Sequence, residues 1–159
     1  MRGEHEYHLT TTWTGNRGAG TTGYRDYDRA ATVEVAGKPA LLASADKPFR
    51  GDPSRWNPED LLVAALSQCH MLAYLHACVE AGVVVVAYRD EARGVLTQRG
   101  NGGSFREVVL GPHVTVAEEA MVDAARIAHD RAHEWCFIAN SVNFPVRHEP
   151  TLDVAPARG

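Results

Sequence analysis

With 159 residues, 16 basic and 20 acidic side chains and a formal charge of −4, the chain has room for one domain with a core of its own. There is no basic excess and no Lys/Arg cluster interleaved with aromatics, which excludes nucleic acid and acidic membrane surfaces as partners. Three cysteines and an N-terminus, MRGEHEYHLTTTW, without the apolar core of a secretory signal point to the cytoplasm, where structural disulfides are rare.

Residues 5–14, HEYHLTTTWT, are rich in β-branched and aromatic side chains and predict a first strand, ended by the turn Gly15-Asn16-Arg17-Gly18. Residues 21–35 continue in that style, and Ala31, Val33 and Val35 alternate with Thr32 and Glu34 as a half-buried strand requires. Gly37-Lys38-Pro39 then turns the chain into residues 41–44, completing a β-meander. Residues 47–56, KPFRGDPSRW, carry two prolines, a glycine and two arginines and predict a loop over the start of the next element.

That element is one long helix over residues 56–82. Asn57 caps it, Pro58 suits its first position, Glu59 and Asp60 sit where the helix dipole favours negative charge, and Gly82 stops it. From Leu61 to Val79 nearly every face is apolar, so the helix calls for burial on all sides. Gln68, His70, His76 and Glu80 interrupt the run short of the roughly 18 apolar residues that a bilayer requires.

Beyond Gly82, residues 83–98 predict a long strand, 99–103 a hairpin turn and 105–116 the return strand. Residues 117–135 predict a second helix, opened by acidic side chains and striped by Met121, Ala124, Ala125, Ala128 and Ala132, with Cys136 at or just past its end. A proline-interrupted strand over 143–154 and a frayed end over 156–159 finish the chain. With no repeat and no second linker, the expectation is a single α+β domain over 1–159, antiparallel sheets packed around a long buried helix. Six or so strands leave part of so apolar a helix uncovered, and a second copy of the chain would cover it.

Cys69 stands at the middle of this helix between Gln68 and His70. A cysteine becomes nucleophilic only when its thiolate is stabilised, and a mid-helix position gains little from the dipole, so a cation has to be delivered. Arg25, in GYRDYDR, and Arg50, in FRGD, are the candidates, and Glu59 is the carboxylate placed to hold either. Cys136 offers a resolving thiol, whereas Cys78, about 180° around the helix from Cys69, reads as packing. His70 points about 100° away from Cys69 and reads as a core histidine with a satisfied hydrogen bond. His129, His133 and Cys136 stand at i, i+4 and i+7, an alternative metal site if the helix reaches Cys136, though a fourth ligand is missing and two such histidines also suit a solvated face.

The strings NPEDLLVAALSQCH and AHEWCFIANSV resemble the OsmC/Ohr family of peroxide-reducing proteins. In that family an Asn-Pro-Glu-Glu-Leu type of motif opens the central helix and the peroxidatic cysteine follows the glutamate by ten residues, a spacing that Glu59 and Cys69 match. The family's second cysteine lies in a Cys-Pro-x-Ser-Asn type of motif, which Cys136 and Asn140 resemble, while Phe137 and Ala139 depart from it. The resemblance implies an OsmC-like fold as an intertwined homodimer, no cofactor, a hydroperoxide substrate with organic ones preferred, and a thiol or lipoyl-type dithiol as reductant. It implies attack by Cys69 and resolution by Cys136. Arg25 resembles the arginine of the Ohr branch and Arg50 that of the OsmC branch; the two remain open, with Arg50 favoured because its loop leads directly into the helix. Because Glu59 and Cys69 lie about 15 Å apart along one helix and roughly 80° around it, joint action implies active sites shared between protomers. A catalytically idle member that binds a small apolar ligand in its dimer interface is the other reading.

Overall fold

The computed structural model describes residues 3–157. They form two compact units whose boundary falls between Leu61 and Leu62. Arg158 and Gly159, part of the expected frayed end, lie outside the described residues.

In the N-terminal unit, β1 (Thr10–Trp13), β2 (Ala31–Glu34) and β3 (Leu41–Ala43) form an antiparallel sheet in sequence order, with Thr32 between Thr12 and Leu42. The expected meander is present, but its strands are shorter than 5–14 and 21–35. The side chains that read as strand formers do other work. The Arg29 guanidinium lies 4.4 Å from the Tyr24 ring centre and 4.1 Å from that of Tyr27, and it donates to both their carbonyls. The segment is thereby clamped as a turn. Gly15 is required where it stands, since a Cβ there would lie 1.9 Å from the Asp28 carbonyl oxygen.

Helix α1 (Pro58–Glu80) begins as expected: the Asn57 side chain accepts from the Asp60 N–H at 2.8 Å. It ends at Gly82, whose φ of 68° lets the Val83 N–H reach the Cys78 carbonyl at 2.8 Å. By length and composition α1 would suffice to cross a bilayer. Instead, one stripe of it, Leu66, His70, Tyr74, Ala77 and Cys78, is buried in the C-terminal unit. Burial on all sides is not achieved within one chain, for Leu72 remains 56% and Val79 77% exposed.

The C-terminal unit adds β4 (Val85–Asp90), β5 (Arg93–Arg99), β6 (Gly102–Leu110), β7 (Pro112–Val116), α2 (Val122–Trp135), β8 (Val146–His148) and β9 (Thr151–Val154). These strands form two three-stranded sheets, β4-β7-β9 and β5-β6-β8. Each of the three long strands expected over 83–98, 105–116 and 143–154 is therefore two strands that change sheet at a corner: at Glu91 and Ala92, at Gly111, and at Glu149 and Pro150. The corners are tied together. Glu91 donates to the Gly111 carbonyl at 3.2 Å and Glu149 to that of Leu110 at 2.9 Å. One Asp90 carboxylate oxygen accepts the Gly111 N–H at 2.7 Å, and the other accepts the Ser67 hydroxyl from α1. The sheets are also mixed, not antiparallel throughout, because β8 runs parallel to β6 and β9 to β7. Helix α2 intervenes between those partners, and such a crossover permits parallel pairing.

Two clusters fill the core. Leu66 packs with Val108 and Leu110 of β6, joined by Val63, Phe105 and Phe144. Tyr74, Ala77 and Cys78 pack with Val114 and Val116 of β7 and with Ala125, Ala128 and Ala132 of α2.

Asp90→Ala removes the acceptor of two hydrogen bonds at the strand corner and should destabilise the fold by roughly 3 kcal/mol, against about 1 kcal/mol for Ser67→Ala. Urea unfolding of the two variants measures this, and equal losses would contradict a clasp centred on Asp90.

Candidate active site

The centre of α1 carries Cys69, and the end of α2 delivers Cys136 to it. Helix α2 stops at Trp135 because Cys136 turns extended, with φ −71° and ψ 104°. The chain then folds back on itself: the Ala139 N–H meets Cys136 Sγ at 3.4 Å, the Asn140 N–H meets the Cys136 carbonyl at 3.0 Å, and the Asn140 side chain donates to the Glu134 carbonyl at 2.9 Å. Cys136 is buried and Cys69 half-buried, both as free thiols. Burial pushes the Cys136 thiol up to about 11, the neighbouring Cys69 sulfur adds to the rise, and the Ala139 and Ile138 N–H groups oppose it.

Beside the two thiols lies a cavity of about 640 Å³. Cys69, Leu72, Ala73, Trp135 and Phe137 give it apolar surface, and His76, Glu80, Glu134 and Asn140 complete the lining. His76 Nε2 lies 3.5 Å from Glu80 Oε1, and the His76 and Trp135 rings are 5.3 Å apart. Cys78 is buried, as its place on the far side of α1 predicts.

The charged residues named from the sequence are not assembled within the N-terminal unit. Glu59 is half-buried in the first turn of α1, and among the described residues neither it nor the guanidinium of Arg25 or Arg50 makes an ion pair. Arg25 is exposed and accepts the Arg17 guanidinium on its carbonyl. Arg50 follows the 3-10 turn Lys47–Phe49 in the left-handed region, φ 63° and ψ 28°, the one non-glycine residue with positive φ among those described.

The metal alternative meets two corrections. First, His129 is wholly buried and not part of a solvated face. It shares the spacing of Ala125, Ala128 and Ala132, a signal already visible in the sequence. Second, Cys136 leaves the helix, and among the described residues no group of three His, Cys, Asp or Glu side chains is disposed to hold a metal ion. His129 Nδ1 instead meets His70 Nε2 at 3.0 Å, so His70 is the hydrogen-bonded core histidine its position predicts. The two rings are 4° from coplanar, and the Tyr74 ring stacks on His129 at 3.9 Å. Burial pushes the pair down, His70 to about 4 with help from His148 and His133, and His129 to about 3 with help from His70, His148 and Arg126.

Residues 51–151 match the family model described as OsmC-like protein. This chain belongs to the OsmC-like protein family. A solved OsmC-like protein of unknown function from Vibrio cholerae is 34% identical and superposes with a TM-score of 0.82, over 93% of this chain and 100% of that one. An organic hydroperoxide resistance protein from Elizabethkingia anophelis has the same fold at 20% identity, with a TM-score of 0.66 over 98% of this chain and 100% of that one. The Bacillus subtilis protein YmaD is 20% identical over 142 residues, 87% of each chain.

This OsmC-like protein should be acid-labile through its histidine pair. Unfolded, both histidines protonate near 6.5; folded, they resist to about 4 and about 3, so they cost nothing above pH 6.5 and stability falls as pH drops below it. Each contributes a slope of up to about 1.4 kcal/mol per pH unit. Thermal melts between pH 7 and 4 should show this, and His70→Leu/His129→Leu should flatten the profile; equal slopes in both proteins would contradict it.

Proposed function

We propose that this OsmC-like protein is a thiol-dependent hydroperoxide reductase of oxidative stress defence, acting in the cytoplasm. The observation that supports the proposal is the meeting of two free thiols, Cys136 at the end of α2 and Cys69 at the centre of α1, with Cys69 opening onto a largely apolar cavity. Family members named for organic hydroperoxide resistance share the fold, and that name is consistent with the same chemistry here.

In the first step the Cys69 thiolate attacks the terminal peroxide oxygen. The O–O bond breaks, the alcohol leaves with a proton from solvent, and Cys69 is left as a sulfenic acid. In the second, the Cys136 sulfur attacks the Cys69 sulfur, water leaves, and a disulfide forms. A thiol or a lipoyl-type dithiol then reduces the disulfide and is itself oxidised. The apolar surface of Leu72, Ala73, Trp135 and Phe137 favours organic hydroperoxides over hydrogen peroxide.

A guanidinium held by Glu59 stabilises the thiolate and orients the peroxide. Of Arg25 and Arg50 the latter is favoured, because a left-handed non-glycine residue costs on the order of 1 kcal/mol and such strain collects at functional sites. A homodimer completes the assembly: Leu72, Val79 and Phe137 leave an apolar surface on α1 and beyond α2 for a second copy to cover, with Glu59 of one protomer serving Cys69 of the other.

Turnover with an alkyl hydroperoxide and a dithiol tests these roles. Cys69→Ser should abolish it, whereas Cys136→Ser should consume about one equivalent and stop at the sulfenic acid. Undiminished turnover by Cys69→Ser would end the proposal. For the shared site, Glu59→Ala and Cys69→Ser, each inactive, should regain activity when their subunits are exchanged; mixtures as dead as their parents would place each site in one chain.

A further inference from the structure

We infer that His70 and His129 are positioning residues for the dithiol: their hydrogen bond sets the approach of α1 to α2 at which Cys136 can condense with Cys69. This role presupposes the proposed division of labour between the two thiols and concerns only the step after the peroxide has been cleaved.

The contact has the geometry of a directional lock. A 3.0 Å separation between His70 Nε2 and His129 Nδ1, with ring centres 5.3 Å apart and planes 4° from parallel, describes two imidazoles joined edge to edge in one plane. Apart from the contact of the thiols themselves at the end of α2, it is the one hydrogen bond between side chains of the two helices among the described residues. The rest of that helix pair meets through Tyr74, Ala77 and Cys78 on one side and Ala125, Ala128 and Ala132 on the other. Small apolar side chains permit close approach but specify little about how far one helix slides along the other. The remaining polar link, Arg131 to Glu80 at 3.8 Å, is exposed and adds little.

Both ends of the lock lead to the thiols. His70 follows Cys69 directly, and His129 stands two turns before Cys136 on α2. Disulfide closure tolerates Cα separations of only about 4.4–6.8 Å, so a slide of an ångström or two decides whether the sulfurs meet.

The pair is also an odd choice if packing were its whole task. His129 Nε2 is buried with no partner, a cost that two leucines in place of the histidines would avoid. The lock works only while one nitrogen carries a proton and the other a lone pair. Its surroundings hold it there. His148 of β8 lies 5.4 Å from the His70 ring and 5.8 Å from that of His129, with Asp130 on its outer side at 3.2 Å. His133 and Arg126 of α2 oppose further positive charge, and Tyr74 of α1, backed by Tyr88 of β4, closes the apolar side.

The test measures how readily the bridge forms without peroxide. In a Cys78→Ala background, the Cys69–Cys136 disulfide is equilibrated against reduced and oxidised glutathione, and its effective concentration is compared between the parent, His129→Leu and His129→Asn. Asparagine keeps an amide where Nδ1 was, whereas leucine removes the partner. The expected result is a loss of about tenfold or more for His129→Leu and recovery of most of it by His129→Asn. With one equivalent of hydroperoxide, His129→Leu should also cleave it at the parent rate while accumulating dimedone-trappable Cys69 sulfenic acid. An effective concentration unchanged in His129→Leu overturns the positioning role, as does a loss that asparagine leaves unrepaired. If His129→Leu fails to fold, His70→Leu against His70→Gln makes the same comparison from the other helix. A parent protein that bridges with glutathione but never with peroxide overturns the peroxidase proposal alone, and the glutathione ratios still decide the role of the histidines.

Discussion

Cys136 can face Cys69 only because α2 packs on α1 through side chains too small to hold it away. Ala125, Ala128 and Ala132 line the contact, and the larger groups between the helices, Tyr74, His70 and His129, lie ring against ring. Dense packing of this kind transmits small displacements instead of absorbing them. The separation of the two thiols is thereby fixed by residues that take no part in any reaction. Beyond Trp135 the extended backbone of Cys136 turns the chain back so that the Ala139 N–H meets the Cys136 sulfur.

The sheets serve the same helix from the other side. Three long segments each change sheet at a common corner, so β6 presents Val108 and Leu110 to the first half of α1 and β7 presents Val114 and Val116 to the second. Asp90 holds that corner to α1 by accepting from both Gly111 and Ser67. The helix face left open, with Leu72 and Val79, adjoins the cavity at Cys69. Covering that face and enclosing the substrate are therefore a single requirement in the proposed homodimer.

Local chemistry made α1 legible in the sequence down to its caps, because Asn57, Pro58 and Gly82 act through nearest neighbours. The two cysteines stood out through the resemblance of NPEDLLVAALSQCH and AHEWCFIANSV to the OsmC/Ohr motifs, and the structure places one at the centre of α1 and the other at the end of α2. The strand breaks were not legible. A strand-like run such as VVVVAYRDEARGVL does not show in its residue types that it changes sheet, which depends on Asp90 finding Gly111, 21 residues away. The tyrosines near Arg29 misled as strand formers because a cation–π clamp and a strand draw on the same residue types. His129 misled in the other direction, since its charged neighbours Asp130 and Arg131 outweighed its alanine spacing.

The central claim is that Cys69 and Cys136 form one redox pair. Peptide mapping of the wild-type protein after one equivalent of an alkyl hydroperoxide tests it most directly. The account predicts a single new cross-linked peptide joining Cys69 to Cys136, with Cys78 still free. A Cys69 oxidised beyond the sulfenic acid while Cys136 remains a thiol, or a bridge that uses Cys78, would contradict it.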